Sequence, residues 1–169
     1  DFGYREYNEI SGVDFSGADL RGANLMNVGF TMSEMSLHEM PLEGTRLSSY
    51  QLDGLYKNGF RNFRGADFSM NRKDNGGRPL KGSLMGADLS GADLSGLSLA
   101  TVDLSNANLR GANLSGSDLR GAVLVGTILT GVKLSNTVLD KDPFYSKGPF
   151  KGTILDTTSL QSLYKLGCR

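Results

Sequence analysis

The chain has 169 residues, with 18 Lys+Arg against 18 Asp+Glu and a formal net charge of zero. That length suits one domain, and the balanced charge excludes both a general nucleic-acid binder and a strongly acidic mimic of nucleic acid. Gly is abundant at 23 against 4 Pro, but without a strict Gly-X-Y period collagen is excluded; a single Cys excludes an internal disulfide scaffold, and no apolar run approaches the roughly 18 residues that span a bilayer.

The chain opens with Phe2, Tyr4, Tyr7 and Ile10, placed to cover the end of whatever core follows. Five-residue units then begin: VDFSG-ADLRG-ANLMN-VGFTM, centred on Phe15, Leu20, Leu25 and Phe30. After Phe30 the frame slips by two. Leu37, Leu42, Leu47 and Leu52 keep the five-residue step, with Met35, Met40 and Tyr50 at positions that are elsewhere small, which predicts distorted coils. Residues 55–60 read as an insertion or bulge before Phe63 and Phe68 resume the frame in RNFRG-ADFSM. Asn71–Pro79 (NRKDNGGRP) has no inward-facing apolar residue and contains Gly76-Gly77 and Pro79, so it predicts a loop leaving the coil, carrying Arg72, Lys73, Arg78 and, just beyond, Lys81.

The long central run follows. Leucine recurs at every fifth place: Leu84, Leu89, Leu94, Leu99, Leu104, Leu109, Leu114, Leu119, Leu124, Leu129, Leu134 and Leu139. Two residues before each leucine the side chain is small, as at Ala87, Ala92, Val102, Ala107, Ala112, Ser117 and Ala122. A second interruption, DKDPFYSKGP, covers 140–149, and Phe150, Leu155 and Leu160 predict one last partial coil. The tail DTTSLQSLYKLGCR predicts a short helix with Thr157 or Thr158 as N-cap, an apolar face of Leu160, Leu163 and Tyr164, and Gly167 as its stop.

A period of five fits neither the 3.6 of a helix nor the 2 of a strand. Either element would leave half the leucines in water. The period is satisfied when the chain turns a corner in every pentad, so that each pentad is one side of a polygonal coil. The leucine and the small residue two before it then point inward, and the other three positions face solvent. Each leucine then stacks on an equivalent leucine of the next coil. The glycines fit corners that need unusual backbone angles.

These pentads resemble the pentapeptide-repeat family, A(D/N)LXX, over most of the chain. The resemblance implies an all-β fold, a right-handed quadrilateral parallel β-helix of four pentads per coil, with about eight coils stacked at ~4.8 Å into a rod roughly 35–40 Å long. Both ends of such a rod need covering. The expected organisation is an N-terminal cap at 1–12, a coil at 13–160 with insertions near 55–60, 71–79 and 140–149, and a C-terminal helical cap at 161–169.

Little in the sequence points to chemistry. His38 stands alone in an irregular pentad and reads as a surface or corner histidine. Cys168 is next to last, a poor setting for a nucleophile, and there is no second Cys or His to complete a zinc site. Asp88, Asp93, Asp103 and Asp118 form a carboxylate array whose spacing is that of the repeat, and they read as a solvated surface on successive faces. No catalytic residue, cofactor or metal is expected.

Two surface features remain. The basic loop with Arg72, Lys73, Arg78 and Lys81 is either a tolerated corner insertion or a contact for an acidic partner. Val123, Val125, Ile128 and Val138 hold outward sites where earlier coils carry Asp or Asn; either the C-terminal segment folds back over this patch or a partner covers it. The expected role is a non-catalytic scaffold for an unidentified protein partner, without nucleic acid or membrane insertion, as a monomer or an end-to-end dimer.

The resemblance also implies alternatives. Some members protect DNA gyrase from quinolones by imitating duplex DNA and dimerise through a C-terminal cap, but they carry strong negative charge, whereas this chain is neutral with a basic loop. The tail LGCR resembles the ends of thylakoid-lumen members, and other members are targeting domains of secreted effectors. A chain that opens on Asp1 rather than Met suggests a fragment or processed product, soluble in the cytoplasm or thylakoid lumen.

Overall fold

The computed structural model describes residues 8–10, 19–25, 28–30, 41–57, 59–69, 82–140, 153–154 and 156–166. Its named elements are two short strands, β1 (Asn8–Ile10) and β2 (Val28–Phe30), and two helices, α1 (Ser49–Lys57) and α2 (Thr157–Lys165). The rest of the architecture is a ladder of single parallel bridges between pentads.

Between 83 and 140 every pentad repeats one local cycle. The residue before the leucine forms a parallel bridge to its counterpart four pentads on, as in Asp88 with Asn108 and Asp93 with Asn113. Flanking it, the leucine and the small residue face the core. The next two residues turn the corner, closed by a bond from Ala87 N to Leu84 O at 3.0 Å and from Ala92 N to Leu89 O at 3.1 Å. The second corner residue has positive φ, 69° at Gly86 and 68° at Gly91, which is the type II turn pattern. This is where the glycines are needed. Asn106 and Asn136 substitute at φ 58° and 57°, as Asn tolerates; Thr101 at 64° is β-branched and strained there.

Successive turns are joined chiefly by backbone bonds. One pentad shows the set: Leu89 N to Asn108 O at 2.8 Å, Gly91 N to Arg110 O at 2.9 Å, and Asn108 N to Ala87 O at 2.9 Å. Four such sides complete a turn, giving four columns of outward residues. They run Ser83–Asp103–Val123, Asn62–Asp88–Asn108–Ile128–Ile154, Asn24–Arg46–Asp67–Asp93–Asn113–Lys133, and Ser98–Asp118–Val138.

The core follows from this register. Leu94, Leu114 and Leu134 lie on one column and are buried, as are the other leucines of the run from Leu84 to Leu129, while Leu139 is only partly buried. Each buried leucine contributes roughly 1.5–3 kcal/mol. Leu97 takes a slot that is small elsewhere and is still fully buried. Where that slot holds a hydroxyl, the group is satisfied by a leucine carbonyl: Ser117 Oγ to Leu114 O at 2.7 Å, Thr127 Oγ1 to Leu104 O at 2.9 Å, Thr137 Oγ1 to Leu114 O at 2.7 Å.

Turns below this run vary in length. β1 and β2 pair in parallel with Asn8 opposite Val28, and the bridges Asn24–Arg46 and Arg46–Asp67 follow. Leu42, Leu47, Phe60, Phe63 and Phe68 are buried, with Leu20 and Leu25 packed against them. The ring centroids of Phe60 and Phe63 are 5.0 Å apart and those of Phe63 and Phe68 6.3 Å, both edge-on.

The coil pentad expected at Leu52 is instead part of α1, which also takes the first half of the insertion expected near 55–60. The cause is a capping box. Gln51 N donates to Ser48 Oγ at 3.2 Å, and Ser48 N donates to Gln51 Oε1 at 2.8 Å. Helical spacing then sends Leu52 and Leu55 into the core together. Gln51 Nε2 reaches on to Leu25 O, and Tyr56 OH donates to Met85 O at 2.9 Å, fastening α1 to the turns on either side.

A helix likewise replaces the last partial coil at its Leu160 end. α2 starts one residue after Asp156, which is the N-cap in place of Thr157 or Thr158. Leu163 is its buried apolar contact, while Leu160 and Tyr164 are exposed; the C-cap is Leu166, and Gly167 lies outside the described residues. The bridges Asn62–Asp88, Asp67–Asp93 and Ile128–Ile154 enclose more chain than the four pentads of a regular turn. Residues 70–81 and 141–152 lie outside the described residues, as do Phe15, Leu37, Phe150 and Leu155.

Candidate interaction surface

The outward position before each leucine carries the chemistry of the faces. Asp88, Asp93 and Asp103 accept from the backbone N of Ser90, Ser95 and Ser105, each at 2.9 Å. Asn108 and Asn113 do the same for Arg110 and Ser115 at 3.2 Å. Each side chain therefore locks the corner that follows it. In two of the columns an amide stands above a carboxylate. Asn108 Nδ2 donates to Asp88 Oδ1, and Asn113 Nδ2 to Asp93 Oδ1, both at 3.2 Å, so an amide separates what would be stacked carboxylates.

The reading of these aspartates as a solvated array is thereby corrected. Asp88, Asp93 and Asp103 are half-buried, and Asp118 is buried. Asp118 is held by a two-pronged contact from Arg120, Nε to Oδ1 at 2.9 Å and Nη2 to Oδ2 at 2.7 Å, which raises the pKa of the guanidinium. The bond from Arg21 lowers the Asp19 carboxyl to about 2. Among the described residues no cluster of His, Cys, Asp and Glu is disposed to hold a metal ion.

In the last full turn the corner-locking residue is lost from every column. Val123, Ile128, Lys133 and Val138 stand where Asp103, Asn108, Asn113 and Asp118 stand one turn below. Val123, Val125 and Val138 are 38%, 37% and 44% exposed, against complete burial of most core leucines. Fold-back reaches one column of this patch: Ile128 is covered by a bridge to Ile154, with Leu129 N to Ile154 O at 2.8 Å. Ile154, Leu160 and Tyr164 are themselves exposed, so apolar surface concentrates at this end of the coil. Sequence pattern alone does not mark these three, because the five-residue frame assigns Leu160 to the core and Tyr164 to a helix face against it.

Two carboxylates finish the coil. Asp140 Oδ2 accepts from Gly121 N at 2.6 Å, and Asp156 Oδ2 from Gly131 N at 2.7 Å. The backbone N of Ser159, foremost among its bonds, lowers the pKa of Asp156. Arg72, Lys73, Arg78 and Lys81, with His38 and Cys168, lie outside the described residues. No helix among the described residues is long and apolar enough to cross a membrane.

The family model of pentapeptide repeats matches the chain in 8 copies, over residues 9–37, 83–121 and 103–140. No curated protein matches it. Among solved structures, full-length QnrB1, described as a plasmid-mediated fluoroquinolone resistance protein, is 19% identical over 93% of this chain and 84% of its own, with a TM-score of 0.50. The pentapeptide repeat protein Rfr23 of the cyanobacterium Cyanothece 51142 is 24% identical over 89% and 88%, with a TM-score of 0.37. A pentapeptide repeat protein of the Arabidopsis thaliana thylakoid lumen is 27% identical over 69% and 68%, with a TM-score of 0.17.

Proposed function

The chain belongs to the pentapeptide-repeat family, and we propose that it is a non-catalytic scaffold that binds another protein through the C-terminal end of a right-handed, four-sided β-helix. The observation that carries this reading is the change of outward residue in the last turn. Polar, corner-locking side chains give way to exposed Val123 and Val138, with Val125 exposed beside them and the surface continued by Ile154, Leu160 and Tyr164. Corner-locking Asp or Asn is compatible with the fold at those sites, since the turn below carries them, so the valines serve something other than folding. In this reading α2 (Thr157–Lys165) caps the C-terminal end of the coil. The basic loop bearing Arg72, Lys73, Arg78 and Lys81 is a second contact, for an acidic partner.

The test restores the lower-turn chemistry. In the double variant Val123→Asp, Val138→Asp each new carboxylate meets the corner amide two residues on. Its circular dichroism and melting temperature should match the parent, while recovery of bound protein in a pull-down falls at least about tenfold, the equivalent of roughly 1.4 kcal/mol. A variant lacking Arg72–Arg78 run in parallel separates the loop from the patch. Unchanged recovery in both variants would refute the binding role.

A further inference from the structure

Inside the coil, the second corner amide of a pentad donates to a backbone carbonyl one turn on, as Gly111 N does to Thr130 O at 2.9 Å and Gly116 N to Ser135 O at 2.8 Å. At the last turn carbonyls give way to side chains. Gly121 N donates to the Asp140 carboxylate, and Gly131 N to Oδ2 of Asp156. The other oxygen of Asp156 accepts from Ser159 N at 2.7 Å, as N-cap of α2. One carboxylate therefore fastens the end of the coil and starts the helix at the same time.

The remaining attachments of this segment are neutral. Ile154 exchanges backbone bonds with Leu129 N and Thr127 O, Thr153 Oγ1 donates to Leu124 O at 2.7 Å, and Ser159 Oγ donates to Leu129 O at 2.7 Å. Leu163 is buried against the coil. Among these contacts Asp156 alone carries a group that gains a proton in acid.

We propose that residues 156–166 form an acid-released strap: protonation of Asp156 frees α2 from the coil and opens the end of the last turn around Leu129 and Leu134. The groups around the carboxylate fit this. On α2 its neighbours are Thr157, Thr158 and Ser159, with Lys165 at the far end; on the coil it meets Gly131, with Lys133 two residues on. Arg120 lies nearer the other carboxylate, Asp140, whose field it feels. The bonds that hold Asp156 ionised are from Ser159 first, then Gly131 and Thr158, with burial opposing them. Because its pKa is lowered on folding, the stabilisation is complete above the ordinary carboxyl value and is lost as pH falls through the folded one. Successive turns of the regular coil are held chiefly by backbone bonds, which do not titrate. This device is independent of any partner.

Hydrogen exchange resolved by segment, corrected for intrinsic rates, tests the strap in the intact chain from about pH 6 down to about pH 2. Amides of 159–166 should lose protection across that range while amides of 104–119 keep theirs. Asp156→Asn keeps an oxygen for Ser159 N, loses the bond from Gly131 N and removes the titration, so its helix should show a lower protection that no longer changes with pH; Asp156→Ala should release α2 at every pH. Loss of strap and coil together at one pH would overturn the proposal. So would an acid loss in Asp156→Asn equal to that of the parent.

Discussion

The turns from 83 to 140 and the turns from 41 to 69 fill the same narrow tube in different ways. In the upper region every side of the coil is a pentad, with one leucine and one small residue per side and four pentads to each bridged turn. In the lower region α1 replaces two sides, Phe60, Phe63 and Phe68 pack edge to edge, and the bridges Asn24–Arg46 and Arg46–Asp67 overshoot the four-pentad step. The contrast shows what the fold requires. It needs the backbone ladder to close on some sides and the interior to be filled on all of them; it does not need a pentad on every side.

This contrast makes quantitative demands. The largest concerns how load is shared. Phe63 touches both neighbouring rings, so Phe63→Ala should cost about 3–5 kcal/mol, whereas Leu109→Ala, with identical turns above and below, should cost about 2–5 kcal/mol and less than Phe63→Ala in the same chain. Urea unfolding of both variants measures the difference, and equal losses would mean that the lower region is no more dependent on single side chains than the upper. The next effect isolates the helix. Gln51→Ala removes half of the capping box and the contact to Leu25 O, which should cost about 1–2 kcal/mol. Proteolysis or exchange should open 48–57 before 84–119; simultaneous opening would show α1 to be as integral as a pentad. The smallest effect has the opposite sign. Thr101→Gly relieves a left-handed β-branched residue and should stabilise by about 1 kcal/mol, read as a rise in melting temperature.

Much of the upper region was legible because the leucine period has one physical solution, and each pentad repeats it without reference to distant residues. The lower region was not, and Leu52 explains why. Its five-residue step from Leu47 continues the coil frame, while its three-residue step to Leu55 is helical, so periodicity supports both. The deciding signal was the Ser48–Gln51 capping pattern, a local feature hidden beneath an apparently intact frame. The aspartates show a second limit. Their outward placement was legible; that they bond the corner two residues ahead was not, since spacing records which way a side chain faces and says nothing of what it reaches. At the C-terminus Asp156 outcompeted the threonines as N-cap because it alone has a second oxygen free to meet Gly131.

The four-pentad ladder has a consequence for how such a molecule can change. Adding or removing whole turns lengthens or shortens the stack while each later column keeps its compass bearing. A gain or loss of one pentad instead swings everything above it by a quarter revolution. The direction in which Val123 and Val138 look, relative to α1 below, is thus set by counting: evolution can re-aim one end of the molecule against the other with a single duplicated pentad, leaving every contact within each turn as it was.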